Sequence, residues 1–158
     1  MTDPGIDFAQ QVLDKQAFSR LLGARITRFA DGAATLEVDI RDDLRQQYGY
    51  AHGGLLAYAA DNALTFAAGT VLGPAIITGG FSVQYLRPAR DGTLRAEAYV
   101  VHAGRRQAVC RCDIYVVDGA GAEDAGSGAG DGPGELCAVA QGTILTAPER
   151  TAPERTGT

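Results

Sequence analysis

The run from Gly53 to Leu72 sets the strongest limit on what this chain can fold into. Positions 55–68 hold six alanines, and alanine is the residue that loses least on entering a helix. Leu56, Ala59, Ala60, Ala63, Phe66 and Ala67 fall on one stripe at helical spacing, while Tyr58, Asp61, Asn62 and Thr65 share the other face. One long helix is expected here, beginning at Gly53 and ending near Leu72. Its side chains are so small that a neighbouring layer can come very close, as a sheet wrapped around it would. The stretch 53–77 is also the nearest the chain comes to a membrane span. Asp61 and Asn62 stand in its middle, however, and a central Asp costs roughly 2.5–3.5 kcal/mol on insertion scales. It reads as a buried helix, and no membrane partner is expected.

The rest of the chain has other periods. Phe8, Val12, Leu13, Ala17, Phe18, Leu21 and Leu22 recur at helical spacing and Gly23 follows as a stop, which predicts a short amphipathic N-terminal helix. From Ala33 the period drops to two: Leu36, Val38 and Ile40 alternate with Thr35, Glu37 and Asp39, as in a half-buried strand. After Gly73-Pro74 the chain reads as strands at 75–78, 81–86, 93–102, 107–117 and 136–146, with turns at 87–92 and 103–104. The sum is one α+β domain over 1–146, a curved and mostly antiparallel sheet of five to six strands with one helix covering a face. Residues 118–135 are rich in Gly, Ala, Asp and Ser without apolar periodicity, and are expected to form a flexible hairpin loop. The sequence TAPER occurs at 146–150 and again at 151–155, too few copies for a solenoid, so 147–158 is expected to be a disordered tail.

A net charge of −5 and a pI near 4.9 remove the broad basic surface that a nucleic-acid partner needs, though not a local basic patch for a phosphorylated ligand. Cys110, Cys112 and Cys137 cannot all pair within one chain, and a zinc site would normally want a fourth ligand. Buried, reduced thiols and no metal are the expectation. Residues 1–10 carry Asp3, Pro4 and Asp7 where a secretory leader would need a basic start and an apolar core. A cytoplasmic location is expected on both grounds.

The chemistry-bearing segment is 46–65, QQYGYAHGGLLAYAADNALT. His52-Gly53-Gly54 stands where the helix starts, so the glycine N–H groups belong to a first turn whose backbone donors have no intrahelical partner. With the helix dipole behind them they favour negative charge, and glycine lets a ligand approach without a clashing side chain. A carbonyl under nucleophilic attack becomes an oxyanion, which wants such donors. Asp61 follows about two turns later in an apolar helix, where a carboxylate costs desolvation unless it is hydrogen-bonded or used. Thr65 is four residues on, on the same face, where it could hold a water or the carboxylate. Each feature alone is commonplace; at this spacing they compose a site.

The pattern Gln46–x5–His52-Gly53-Gly54–x6–Asp61–x3–Thr65, followed by FSVQYLRPA at 81–89, resembles the hotdog-fold acyl-CoA thioesterases. The nearest subgroups are the PaaI-like enzymes of phenylacetate metabolism and one type of 4-hydroxybenzoyl-CoA thioesterase, and the resemblance spans 20–146. It implies a hotdog fold and hydrolysis of an acyl- or aryl-CoA to free acid and CoA, with no cofactor. Gly53 N–H would polarise the thioester carbonyl. Asp61 would be either the base that activates water or the nucleophile that forms a mixed anhydride. His52 would orient the loop, with the Gln46 amide and Thr65 completing the catalytic set and Gly54 and Ser82 beside the substrate. Gln46 and Thr65 follow the hydroxybenzoyl type, whereas Asp61 follows the PaaI-like one, so the acyl group is not implied.

One geometric argument is independent of that likeness. At 1.5 Å rise per residue, Gly53 and Asp61 are about 12 Å apart on one helix, too far for a single carbonyl to touch both. If both act on one thioester, the site must join Gly53 of one chain to Asp61 of another, which a C2 homodimer does twice. The resemblance implies the same pairing, and beyond it a dimer of dimers, hence a homotetramer. Arg87, Arg90, Arg105 and Arg106 lie at strand ends and turns and are candidates for the CoA phosphates. Two other readings share the fold. A hotdog dehydratase or hydratase would set its histidine and carboxylate differently, without HGG opening the helix. A non-catalytic acyl-CoA-binding module would leave Asp61 unexplained.

Overall fold

The computed structural model describes residues 3–118 and 134–148. The stretches 119–133 and 149–158, which contain most of the expected hairpin loop and tail, lie outside the described residues. The N-terminal helical segment is two helices, α1 (Pro4–Asp14) and α2 (Ala17–Leu22). Asp3 caps α1 by accepting the Gly5 N–H at 2.8 Å, and Pro4 takes the first helical position, where its missing donor costs nothing. The break comes at Lys15 and Gln16: the Lys15 N–H turns back to the Val12 carbonyl and the Gln16 N–H to that of Leu13, and Gln16 is extended. Gly23, at φ 71, ends α2 as expected. Ala9 and Leu13 are fully buried, but beyond the break Phe18 and Leu21 are exposed, so one helical period does not run through both.

Two strands follow, β1 (Arg25–Ala30) and β2 (Ala33–Asp39), joined by a two-residue turn in which Asp31 and Gly32 both have positive φ. That is the turn geometry that suits the twist of a hairpin. β1 was not among the strands expected from periodicity, because only Ile26 and Phe29 of its six residues face inward. Then comes α3, Gly53–Leu72, with the bounds expected. The remaining strands are β3 (Ile76–Tyr85), β4 (Thr93–Ala103), β5 (Gln107–Val117) and β6 (Glu135–Thr146). The two short strands expected at 75–78 and 81–86 are one strand. A bulge between Thr78 and Gly80 shifts its register against β6 and breaks the sequence alternation.

The sheet order is β1-β2-β4-β5-β6-β3, and every neighbouring pair is antiparallel. All six strands touch α3. Ala59, Ala60, Ala63, Ala67 and Ala68 are fully covered, and the sheet meets them with Leu36, Val38, Leu94, Cys110, Cys112, Ile114 and Ile144. The small helix residues therefore do what their size suggested: they let six strands wrap one helix. Although α3 is long and apolar enough to cross a bilayer by composition, here it is the core. The sheet's two edges are β1 and β3. β3 is ten residues long, is paired on one side only among the described residues, and leaves Ile77 and Tyr85, with Leu86 just beyond its end, more than half exposed.

Candidate active site

The loop between β2 and α3 is held before the helix begins. Ala51 N–H donates to Ala89 O at 2.7 Å and His52 N–H to Leu44 O at 2.9 Å. The Arg45 guanidinium ties the same loop together, reaching Gly49 O at 2.8 Å, Asp91 Oδ1 at 3.0 Å and the Arg90 carbonyl. His52 is thereby placed as the N-cap of α3, with φ −61 and ψ 138, and its Nδ1 accepts the Gly54 N–H at 2.8 Å. A neutral ring that accepts at Nδ1 carries its proton on Nε2. His52 thus orients the loop by capping, and Gly54's N–H is committed to it. The Gly53 N–H has no hydrogen-bond partner among the described residues and lies at the positive end of α3. On the other side of the peptide, the Tyr85 hydroxyl donates to Gly53 O at 2.9 Å. A Cβ on Gly53 would come within 3.3 Å of that hydroxyl, so the position is tight as well as open to approach.

Gly53 opens onto a cleft of about 470 Å³ whose walls include Gln46, Tyr50, Leu56, Tyr85 and Arg87, within the range of small-molecule sites. Gln46 belongs to a tight turn: its N–H donates to Tyr50 O at 2.8 Å, its carbonyl accepts from Gly49 N–H at 3.0 Å, and its side-chain oxygen takes the Tyr48 N–H. Arg87 stands on the rim, paired with Glu135 at 2.8 Å, and Arg90 lies over the Tyr50 ring at 5.0 Å. Both arginines therefore share the Gly53 end of the molecule.

Asp61 is half-buried on α3, outside that cleft. Its Oδ1 accepts the Thr78 hydroxyl at 2.6 Å. Thr65 does not hold the carboxylate: its hydroxyl donates to the main-chain Asp61 O at 2.8 Å, the local back-bond open to a helical threonine. The two threonine oxygens lie 3.1 Å apart. Thr78 and Tyr85, which touch the two halves of the site, were not singled out by the sequence reading. Both sit on β3, Thr78 before the bulge and Tyr85 after it, and the register shift between them lets both face the helix.

The structure separates the other expected residues. Ser82 alternates with Val83, which packs on the core, and so points away from α3, beside Gln84, Arg111 and Gln141 on the outer face of the sheet. Arg105 and Arg106 form the β4–β5 turn, where Arg106 O accepts the Thr146 N–H at 2.9 Å. That turn is at the C-terminal end of α3, opposite Gly53, Arg87 and Arg90. The three cysteines are unpaired and buried. Burial pushes the Cys110 and Cys137 thiols up to about 11 and Cys112 higher still, the reverse of what a nucleophile needs.

A six-stranded antiparallel sheet wrapped around one long helix is the hotdog fold. The sequence model of the thioesterase superfamily matches residues 48–123, which contain both groups. The chain is 29% identical over 111 residues to the acyl-coenzyme A thioesterase PaaI of Escherichia coli, covering 70% of this chain and 77% of that one. It is 26% identical over 95 residues to the 1,4-dihydroxy-2-naphthoyl-CoA hydrolase of Listeria monocytogenes, covering 59% and 77%. Among solved structures it is similar to a thioesterase family protein from Silicibacter pomeroyi, with a TM-score of 0.75 at 25% identity over 88% of this chain and 95% of that one. The chain has the hotdog fold, is similar to the thioesterase superfamily over residues 48–123, and is a thioester hydrolase.

Proposed function

We propose that the substrate is an acyl- or aryl-CoA, hydrolysed to the free acid and CoA without a cofactor, with Asp61 as general base and Gly53 N–H as the oxyanion donor. The observation that carries this reading is the Asp61 carboxylate, the one charged group on α3, held at 2.6 Å by Thr78. Asp61 takes a proton from water as the water oxygen bonds to the thioester carbon. The carbonyl oxygen becomes anionic and is met by Gly53 N–H. The C–S bond then breaks, and the proton on Asp61 passes to the departing sulfur, leaving acid and thiol. The alternative order, in which Asp61 attacks the carbon and water opens the resulting anhydride, uses the same two groups.

The hydroxyl network suits a carboxylate that must gain and lose a proton. Each threonine hydroxyl has one hydrogen. With Asp61 ionised, both are spent on Asp61, one on Oδ1 and one on the main-chain oxygen, and the 3.1 Å contact between the threonines is left without a proton. When Asp61 is protonated it can donate to Thr78, Thr78 to Thr65, and Thr65 to the Asp61 carbonyl. Three contacts then hold three protons, so the network accommodates the transferred proton without leaving a polar group unpaired.

The base and the donor lie about 12 Å apart along α3, and the Gly53 cleft does not include Asp61. The reading therefore includes a C2 homodimer with shared sites. The long, exposed, one-sided edge of β3 is the surface on which an antiparallel second copy would complete the sheet. An antiparallel pair would also carry the partner's β4–β5 turn, with its two arginines, to the end where Gly53, Arg87 and Arg90 stand, making a cationic rim for CoA. The test mixes two inactive chains, Gly53→Pro, which removes the donor, and Asp61→Asn, which removes the base. Heterodimers contain one site with both lesions and one with neither, so activity should return toward half the wild-type value per heterodimer. Verified heterodimers as inactive as their folded parents would refute the shared assignment.

A further inference from the structure

Two consecutive peptide groups open α3, and all but one of their polar atoms are held. In the first, the His52 carbonyl accepts the Leu55 N–H at 2.9 Å, while the Gly53 N–H has no hydrogen-bond partner among the described residues. In the second, the Gly54 N–H donates to His52 Nδ1 at 2.8 Å and the Gly53 carbonyl accepts the Tyr85 hydroxyl at 2.9 Å. That last bond comes from the sheet, whereas the other two belong to the helix and its own cap. Tyr85 stands on firm backbone: it pairs with Ala138 of β6, and the Leu86 and Arg87 N–H groups both donate to Cys137 O, at 2.8 and 3.2 Å. Its side chain borders the Gly53 cleft and reaches from the sheet edge to the start of the helix. A Cβ on Gly53 would meet the hydroxyl at 3.3 Å and the ring carbon bearing it at 3.4 Å, so the ring also rests against the glycine.

We propose that Tyr85 is a positioning residue for the reaction: its hydroxyl fixes the Gly53–Gly54 peptide plane, so that the Gly53 N–H keeps one direction into the cleft. The inference rests on the reading of Gly53 N–H as the oxyanion donor. Glycine loses more backbone freedom on ordering than any other residue, and here two follow one another at a helix end. Gly53 is the joint between the plane that carries the donor and the plane that Tyr85 touches. His52 holds the second plane at its N–H end and Tyr85 holds it at its carbonyl end. Held at one end a plane can pivot, and held at both it cannot. Without Tyr85 the torsions at Gly53 and Gly54 loosen, and with them the first turn whose Leu55 N–H steadies the donor's own plane. An oxyanion donor contributes most when it is already aimed at the place where charge develops, and a small misplacement lowers the rate without weakening ground-state binding.

Tyr85→Phe tests the assignment, because it removes the hydroxyl and keeps a ring that is 54% exposed, so folding is not at risk. Wild type and variant are compared for melting and oligomeric state, then for steady-state kinetics over a panel of acyl-CoAs. In parallel, NMR relaxation gives the order parameters of the Gly53 and Gly54 amides. In wild type both amides should be as rigid as the body of α3, with order parameters of about 0.85. In Tyr85→Phe they should fall toward the flexible range while the rest of α3 stays rigid. On every accepted acyl-CoA, kcat should fall roughly fivefold, as for the loss of one neutral hydrogen bond, with KM unchanged. If wild type hydrolyses no thioester yet Tyr85→Phe loosens the two amides, the lock on Gly53 stands and the hydrolysis reading falls. Where wild type is active, an unchanged kcat in the folded variant overturns the positioning role, whether or not melting drops. A raised KM at constant kcat would make Tyr85 a substrate contact and overturn it too. So would a fall in kcat with both amides as rigid as in wild type.

Discussion

Thr78→Val isolates the contact on which the base depends. It keeps the β-branched shape that suits a strand and removes only the hydroxyl donating to Asp61 Oδ1 at 2.6 Å. A hydrogen bond to a charged group contributes about 1.5–3 kcal/mol, and Asp61 is only half-buried, so water replaces part of what is lost. We take the lower end, about 1.5 kcal/mol, which corresponds to roughly tenfold in rate at 1.36 kcal/mol per decade. Thr78 touches the base and not the substrate on this reading, so kcat should fall about tenfold with KM little changed. Thr78→Ser, which restores the hydroxyl, should recover most of the loss. In an Asp61→Asn background the same substitution should have almost no further effect, because the two groups act as one unit. Steady-state kinetics of wild type and the four variants on one accepted acyl-CoA, with thermal melting as the control for folding, decide the matter. Wild-type kcat in folded Thr78→Val, or a full further loss on top of Asp61→Asn, would refute the coupling.

Other expectations concern the scaffold. Gly142→Ala should destabilise by about 1–3 kcal/mol, the usual cost of overpacking, because its Cβ would lie 2.7 Å from Phe81 Cβ and 2.8 Å from Gly80 O; a urea midpoint equal to wild type would show that β3 shifts freely. Iodoacetamide at pH 8 should leave the native protein unlabelled and modify all three cysteines in urea, since burial raises each thiol. Rapid labelling of the native chain would contradict that burial. The Thr93 hydroxyl, and next the Arg25 guanidinium, hold Asp39 below the usual carboxylate range. A depressed folded value contributes stability above the unfolded pKa of about 3.9, and loses it as pH falls through the folded one. Asp39→Asn should therefore lower the urea midpoint at pH 7 and match wild type near pH 2; a constant gap at both would refute the linkage.

What could be read from the sequence divides along local and non-local lines. The bounds of α3 were legible because His52 caps it and Gly73 closes it, both short-range signals. A mostly antiparallel sheet was legible in the strands and turns after Gly73, and its wrapping around α3 in the small size of the helix side chains. β1 escaped because its apolar residues are few, although the Asp31-Gly32 pair before Ala33 is itself a hairpin signal. Thr65's bond to the Asp61 carbonyl follows a local helical rule and was within reach. Thr78's bond to the Asp61 carboxylate was not. It depends on a bulge that shifts register between Thr78 and Gly80, and one residue of register decides which face a strand side chain takes. Ser82 fell on the wrong face for the same reason.

β3 links the two half-sites in a way neither motif alone suggests. Thr78 before the bulge holds the Asp61 carboxylate, and Tyr85 near the strand's end bonds the Gly53 carbonyl. A strand that kept strict alternation through 78–85 would face only one of them inward, because positions seven apart lie on opposite faces. The bulge changes the parity, and both reach α3. The same strand is one edge of the sheet among the described residues. On the proposed pairing, an antiparallel copy docked along β3 would fix, through one element, the position of the base in one chain and of the donor in the other. Straightening the bulge, for example by deleting Gly79, should then damage both halves together. It would turn either Thr78 or Tyr85 outward, and turnover would be lost in a protein that still folds.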